Sequence, residues 1–261
     1  MSRPTRFVSG LLAVSQLEAL RLARSKHIVV TSIAVALAAV GAAVVGHGFE
    51  FDPASIYQSI VSAGYFGLLV YLLPFLFAAG AVSEEVEGRT LPFLVTRPVR
   101  RWVTLAGKFL VASITATGLL WCSLLAFHIA VFAPGGTEIF SRLPTTLQHA
   151  GAFSILLWAY CAICMFWGSA VVGASGIACT MYLAIIEFGV GTVMPGPGRL
   201  ISLNTHARSL GNLPESGLFA SETTPALPWW GSALTITVVG VAFACLAALV
   251  FERREYATDR A

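Results

Sequence analysis

The sequence WWGSALTITVVGVAFACLAALVF, residues 229–251, contains no charged residue. As a helix it would be ~34 Å long at ~1.5 Å per residue, enough to cross the ~30 Å hydrocarbon core of a bilayer. The whole chain of 261 residues is 57% hydrophobic and 11% charged, whereas soluble domains carry about 25% charged residues. The composition therefore predicts a protein that crosses the membrane several times.

Five further apolar runs are long enough to cross a bilayer. The sequence thus predicts an all-α, polytopic membrane protein with one six-helix transmembrane domain over residues 28–251, followed by a cytoplasmic tail over 252–261. The predicted spans lie at 28–46, 56–82, 103–133, 151–172, 174–194 and 229–251.

The basic residues predict the orientation. Thirteen of the 16 Lys and Arg residues lie in the N-terminal segment, the loop after the second span or the C-terminal tail. Only Arg142, Arg199 and Arg208 lie in the loops on the other side. Because basic residues accumulate on the cytoplasmic side, both termini are predicted to be cytoplasmic and the chain to lie in the cell (inner) membrane. The net charge of +3 reflects this topology, and no nucleic-acid partner is expected.

The N-terminal segment, residues 1–27, has a moderate amphipathic pattern. Leu12, Leu17 and Leu20 share one side of a helical wheel, and Glu18 and Arg21 share the other. Such a helix would lie along the cytoplasmic surface of the membrane. A frayed basic leader is the alternative interpretation.

Glu187 and His128 are ionisable residues within predicted spans, where charge is costly and often functional. Glu187 is a candidate for lining a polar substrate path, or alternatively for reaching the interface beside Arg199. His128 is expected to make one interhelical hydrogen bond. The five cysteines lie within the spans and are interpreted as structural, and neither a metal site nor a catalytic residue is predicted.

The loop after the second span gathers charge that the rest of the chain avoids. Its sequence, EEVEGRTLPFLVTRPVRRWVTLAGKF over residues 84–109, holds three acidic and five basic residues. Gly88 ends the preceding helix, Thr90 provides a cap for a short new helix, and Pro98 ends that helix. The product is a rigid cytoplasmic helix with apolar Leu91 and Leu94, suited to docking a partner. A solvated loop that only sets topology remains the alternative.

These residues carry a resemblance to a known family. Glu85-x-Glu87-Gly88-x-Thr90-Leu91, followed by Leu94, Arg97-Pro98, Arg101 and Gly107-Lys108-Phe109, resembles the signature of the type-two ABC (ABC-2) exporter permeases. That family includes the nitrous-oxide-reductase maturation permease. Members commonly have Gly before the Thr-Leu pair, where this chain has Arg89. The family's N-terminal interfacial helix and external connection have counterparts at 1–27 and at about 195–228, where leucines recur at helical spacing as in an interfacial or re-entrant helix.

The resemblance implies a permease subunit, itself not an enzyme, that couples ATP hydrolysis in a separate subunit to export. Residues 84–101 would form the coupling helix that docks on the ATP-binding cassette subunit. ATP and magnesium would bind that partner, since the chain lacks the phosphate-binding motif G-x-x-x-x-G-K-[ST], and no cofactor is expected here. A second permease copy or a sister permease is also implied, as are contacts with membrane lipids. The coupling residues would be Glu85, Glu87, Gly88, Arg89, Thr90, Leu91, Leu94, Arg97, Pro98 and Arg101.

Two other classes stay open on the residues alone. An ATP-independent secondary transporter or channel would also be polytopic, but usually has several polar groups near mid-membrane. Glu84-Glu85-x-x-x-Arg89 also matches the pattern of intramembrane CAAX-type proteases, in which paired glutamates activate water. Those enzymes need histidines at F-x-x-x-H and H-x-x-x-N/D spacing, which this sequence lacks.

Overall fold

The computed structural model describes residues 3–24, 41, 44, 52–81, 101–194, 196–213 and 228–253. These residues form helices and, within the described ranges, no strand, so the predicted all-α fold is confirmed. We number the helices along the chain as α1 Arg3–Ala23, α2 Pro53–Ala79, α3 Arg101–Phe132, α4 Glu138–Ala170, α5 Ser175–Val190, α6 Leu203–Leu210 and α7 Trp229–Arg253.

Four of these helices, α2, α3, α4 and α7, are long and apolar enough to cross a membrane, and α5 is a shorter apolar helix. They correspond to the predicted second, third, fourth, sixth and fifth spans. The predicted first span, 28–46, lies outside the described residues apart from two positions, so the number of six spans stays a prediction. The chain is nonetheless a polytopic membrane protein, because several apolar helices of spanning length lie in one chain.

Helix α4 occupies the centre of the bundle. About 67% of its most apolar 18-residue stretch is buried inside the protein, against 17% of the corresponding stretch of α7, which lies at the edge of the bundle. The core around α4 is aromatic: the ring of Phe153 lies 4.3 Å from that of Phe66 and 5.9 Å from that of Tyr65. The helix begins at Glu138, well before the predicted span at residue 151. The prediction started later because the first turns of the helix carry polar residues, which a search for apolar runs leaves out.

Helix α2 begins at a proline and is irregular along its length. Asp52 caps it by accepting a hydrogen bond from the Ser55 amide at 3.0 Å, and Pro53 occupies the first turn, where its missing N–H costs nothing. Two stretches of α2, Val61–Leu69 and Phe75–Ala79, are π-helical. The second follows directly after Pro74, which cannot donate to the preceding turn.

Helix α1 lies against the first turns of α3. A Cβ atom added to Gly107 of α3 would lie 2.8 Å from a methyl carbon of Val14, so a larger residue there requires the Val14 side chain to move. Leu12, Leu17 and Leu20, the predicted apolar side, are exposed. Glu18 is buried beside the core, and Arg21 lies 3.6 Å from its carboxylate. The predicted helix is therefore present, and its position on the cytoplasmic membrane surface stays a prediction.

Candidate functional site

Helix α6, in the predicted external connection, enters the bundle by its N-terminal end. Asn204, in its first turn, donates from Nδ2 to the Phe66 carbonyl at 3.2 Å and to the Tyr71 hydroxyl. Tyr71 lies 18 residues after Pro53, or ~27 Å along α2. Arg208, one turn further along α6, contacts Ser62, which is nearer the start of α2. Helix α6 therefore packs along α2 with its N-terminus beside Tyr71 and its C-terminal half beside Ser62, and its depth in the membrane stays a prediction.

The carboxylate of Glu187 caps the buried N-terminus of α6. Its Oε2 accepts hydrogen bonds from the Ser202 hydroxyl at 2.7 Å and the Asn204 amide at 3.2 Å, and Oε1 accepts from the Leu203 amide at 3.4 Å. The first amides of a helix have no partner within the helix, and the helix dipole places partial positive charge there. The Glu187 carboxylate from α5, only 1% exposed, therefore supplies the hydrogen-bond acceptors and the negative charge that stabilise the N-terminus of α6.

Gly191 allows the segment that follows α5 to pass close to α5 beside the Glu187 carboxylate. A Cβ atom on Gly191 would lie 2.7 Å from the Ser202 hydroxyl oxygen, closer than real Cβ contacts occur. After Gly191 the chain leaves the helix at Met194 and passes through the 3₁₀ turns of Gly196–Ile201. Arg199 in these turns donates from Nε to the Met194 carbonyl at 3.1 Å. The close approach brings Ser202 under α5, where its hydroxyl reaches Glu187.

Arg208 attaches the other side of α6 to α2. Its guanidinium donates to the Ser62 hydroxyl at 2.8 Å and to the Ser62 carbonyl at 2.7 Å, and lies 5.2 Å from the ring centre of Phe66. An arginine side chain stays protonated at neutral pH, so all its N–H groups act as donors. Both carbonyl acceptors on α2, those of Ser62 and Phe66, lie in the π-helical stretch Val61–Leu69, and Glu187 lies in another, Leu183–Val190.

Neither sequence-based interpretation of Glu187 included this contact. Glu187 was expected to line a substrate path or to reach the interface beside Arg199, and the structure instead shows it bonded to Ser202 and the start of α6. The substrate-path role stays a prediction. In chemical terms the site joins three helices, α2, α5 and α6, through buried charge-assisted hydrogen bonds, which are the stronger kind.

His128 makes more contacts than expected. Its Nδ1 lies 2.8 Å from the Thr146 hydroxyl and its Nε2 lies 3.1 Å from the Ile139 carbonyl, so both ring nitrogens bind α4. The predicted interhelical hydrogen bond is therefore present, with a second beside it. The five cysteines are free thiols, and the sulfur atoms of Cys164 and Cys179 lie 2.8 Å apart between α4 and α5. Within the described ranges, no group of three or more His, Cys, Asp or Glu residues is arranged to hold a metal ion.

Of the predicted coupling residues, the structure describes one. Arg101 is the first residue of α3. The other nine lie outside the described residues, so their docking role stays a prediction: Glu85, Glu87, Gly88, Arg89, Thr90, Leu91, Leu94, Arg97 and Pro98.

The two ends of this segment are nevertheless tied together. Lys108 of α3, only 4% exposed, donates from Nζ to the Ala81 carbonyl at 2.6 Å, just beyond α2. A buried lysine is stabilised by a hydrogen bond to a buried carbonyl, because an ionisable group without a partner inside the membrane domain is costly. Gly107, the preceding residue, accommodates α1. Residues 82–100 therefore begin and end on helices that Lys108 binds to each other, a junction that also contacts the N-terminal helix.

Sequence reasoning missed most partners of both regions. Lys108 was counted as one charge of the loop and Arg208 as a basic residue of the loops on the other side, while Asn204 was not singled out. A signal did exist: Lys108 lies seven residues inside α3, where a lysine that cannot reach water must find a buried acceptor. For Asn204 no sequence signal identifies the partner, because Phe66 lies 138 residues away.

Comparison with known proteins adds one match. The sequence model of the family described as "ABC-2 family transporter protein" matches residues 15–191, about two thirds of the chain. The match extends from α1 through α5 and includes residues 84–101. No curated protein matches the chain.

Proposed function

Because the chain belongs to the ABC-2 family of transporter proteins, we propose that it is the permease subunit of an ATP-driven exporter. In this proposal, a separate ATPase subunit hydrolyses ATP, and residues 84–101 carry its motion to the membrane helices. The observation that supports the proposal is the family match over residues 15–191. The narrower likeness to the nitrous-oxide-reductase maturation permease stays a prediction.

The junction at the ends of α2 and α3 favours mechanical coupling. Since Lys108 binds the Ala81 carbonyl, a force on residues 82–100 acts on α2 and α3 together. Helix α1 lies on the same part of α3, beside Gly107, and would move with them. The buried core would then carry the motion onward, because α4 packs against α2 and α3 and packed interiors are nearly incompressible.

The partners follow from this function. An ATP-binding cassette subunit would receive Leu91 and Leu94 in an apolar groove, with the flanking charges setting the register. ATP and magnesium would bind that subunit. The membrane-embedded assembly would contain two permeases, either two copies of this chain or one copy with a sister permease. The bias of basic residues places the N-terminus, residues 84–101 and the tail in the cytoplasm of the proposed topology.

A pull-down of the tagged protein from its native host in mild detergent tests the proposal. A co-purifying ATPase with a phosphate-binding loop, at near one-to-one stoichiometry, is the expected result. Leu94→Asp should abolish this association while the protein stays folded in the membrane, because burying an unpaired carboxylate in an apolar groove costs several kcal/mol or more. Leu94→Met, which keeps size and polarity, is the matched control and should retain the ATPase.

Two outcomes would contradict the proposal. One is association and transport that Leu94→Asp leaves unchanged, which would remove the docking role. The other is a solitary protein that transports without ATP, which would support an ATP-independent transporter or channel. Peptide cleavage that depends on Glu85 would instead support the protease class.

A further inference from the structure

An apolar groove runs along the bundle where α3, α4 and α7 meet. Its wider part has a volume of about 460 Å³ and lies between Phe109, Trp158 and Gly240, one from each helix. A narrower part, of about 120 Å³, continues between the same helices to Trp102 at the start of α3. Phe109 and Ala244 line both parts, so the two form one continuous groove. The wider volume is within the range of ligand pockets, roughly 300–1,000 Å³.

Small residues make the floor of the groove and aromatic residues make its wall. A Cβ atom on Gly240 would lie 3.1 Å from the Cα of Ala159, so α7 and α4 are in close contact there. The rings of Phe109 and Trp158 pack edge to face with centres 6.0 Å apart. The lining hydroxyls are satisfied within their own helices, since Ser154 donates to the Ala150 carbonyl and Thr237 to the Ala233 carbonyl. The groove therefore suits hydrocarbon.

The length of the groove matches an acyl chain. Along α7 the lining runs from Ile236 to Ala248, ~18 Å at 1.5 Å per residue, comparable with the ~15 Å of one leaflet's hydrocarbon. An extended lipid chain fits along this apolar surface.

Positive charge lies at one end of the groove. Arg101 directly precedes Trp102, which lines the narrow part. Arg253 lies two residues after Phe251, with Glu252 between them, and Phe251 packs in the same cluster as Leu105 of α3. Both arginines thus lie where the groove reaches the predicted cytoplasmic surface. Basic residues between membrane helices on that side favour the phosphates of anionic lipids.

We propose that this groove binds one anionic phospholipid of the cytoplasmic leaflet. One acyl chain lies between α3, α4 and α7, and the phosphate lies near Arg101 and Arg253. The site rests on the proposed orientation in the membrane. It shares Arg101 with the predicted coupling residues, but the lipid test is made without the ATPase, so a failed pull-down and a failed lipid test have different meanings.

Fluorescence quenching of Trp158 in reconstituted vesicles tests the site. The full-length protein is reconstituted in phosphatidylcholine vesicles containing increasing fractions of phosphatidylglycerol with brominated acyl chains, which quench a tryptophan in contact. The part of the signal due to Trp158 is obtained by difference from Trp158→Phe. We expect quenching that saturates at a low fraction of phosphatidylglycerol and is at least about fivefold more sensitive than to brominated phosphatidylcholine, the preference that one nearby arginine supplies.

Two sets of variants test separately where the acyl chain binds and where the headgroup binds. Ala244→Phe fills the groove where its two parts join and should remove the saturable quenching. Leu246→Phe, at an exposed position of the same helix, is the matched control and should leave it unchanged. Arg101→Gln combined with Arg253→Gln should reduce the preference for phosphatidylglycerol to below about twofold.

The wild-type protein alone can overturn the proposal, whether or not Ala244→Phe folds. Quenching that rises in proportion to the brominated fraction, and equally for both lipids, would mean ordinary lipid contact without a site. Absence of Trp158 quenching by either lipid would mean that protein covers the groove. Either result excludes the phospholipid site.

Discussion

Replacing Glu187 should loosen α6 in proportion to the hydrogen bonds that are lost. In Glu187→Ala, the Ser202 hydroxyl and the Asn204 amide lose acceptors at 2.7 and 3.2 Å, and the Leu203 amide loses a weaker one at 3.4 Å. A buried donor without a partner costs about 1–3 kcal/mol, and a lost helix cap about 0.5–2 kcal/mol. Since the hydroxyl is able to rotate, we expect a total of about 3 kcal/mol.

Glu187→Gln should have a smaller effect. Glutamine keeps the size of the side chain and one carbonyl oxygen. In the position of Oε2 this oxygen still accepts both short hydrogen bonds, from Ser202 and Asn204, and only the longer one from the Leu203 amide is lost. The expected loss is about 1 kcal/mol. Glu138→Gln is the matched control, because Glu138 lies exposed in the first turn of α4. It should change stability by less than about 0.5 kcal/mol, as surface substitutions do.

Hydrogen exchange of the α6 amides is the decisive assay. Because every ~1.4 kcal/mol is a tenfold change in an equilibrium, the Leu203 and Asn204 amides should exchange about 100-fold faster in Glu187→Ala and about fivefold faster in Glu187→Gln. Unchanged exchange at these two amides in Glu187→Ala would refute the capping role. Transport by Glu187→Gln, compared at full expression, separately tests the substrate path, and wild-type transport would exclude it.

Three further substitutions test other contacts. Gly107→Leu should displace α1 and lower the free energy of unfolding by about 1–3 kcal/mol, which would be measured as faster proteolysis of the N-terminal segment. If adding Val14→Ala restores resistance to proteolysis, the clash with Val14 is the cause. Unchanged resistance in Gly107→Leu would contradict the close approach of α1 and α3. Lys108→Met should lower the free energy of unfolding by about 1.5–3 kcal/mol, because a charged hydrogen-bond donor is lost. It should also reduce the amount of substrate transported per ATP hydrolysed. Lys108→Arg keeps the charge and should retain part of the stability and part of the transport. Thr146→Val keeps the shape of the side chain and removes the hydroxyl bonded to His128, so a loss of about 1 kcal/mol in thermal unfolding is expected, and wild-type stability would show that this bond contributes nothing.

The sequence identified individual residues more easily than their contacts. Glu187 was noticed because a carboxylate in an apolar span is costly, but the interpretations considered were a substrate path and a contact with the interface. Its partners lie in α6, whose spacing predicted a helix without deciding between an interfacial and a re-entrant one. The short loop from α5 to α6 passes Gly191, and the tightness of that passage follows from the packed coordinates alone.

The sequence by itself determined the membrane location, the all-α fold and the family. Hydropathy summed over about twenty residues is a property of composition, and it decides whether a helix transfers into lipid whatever its neighbours are. The family signature is likewise local, since it fits within residues 85–109.

Tertiary structure decided which polar groups meet. A buried donor or acceptor must find a partner, but the partner is set by helix packing: Lys108 binds Ala81 across 27 residues, Glu187 binds Ser202 across 15, and Arg208 binds Ser62 across 146. Such pairs depend on the relative positions of whole helices, and π-helical stretches in α2 and α5 shift those positions by fractions of a turn. The position of α6 against α2 and α5, the contact between Lys108 and Ala81 and the groove between α3, α4 and α7 therefore follow from packing, and local sequence pattern does not encode them.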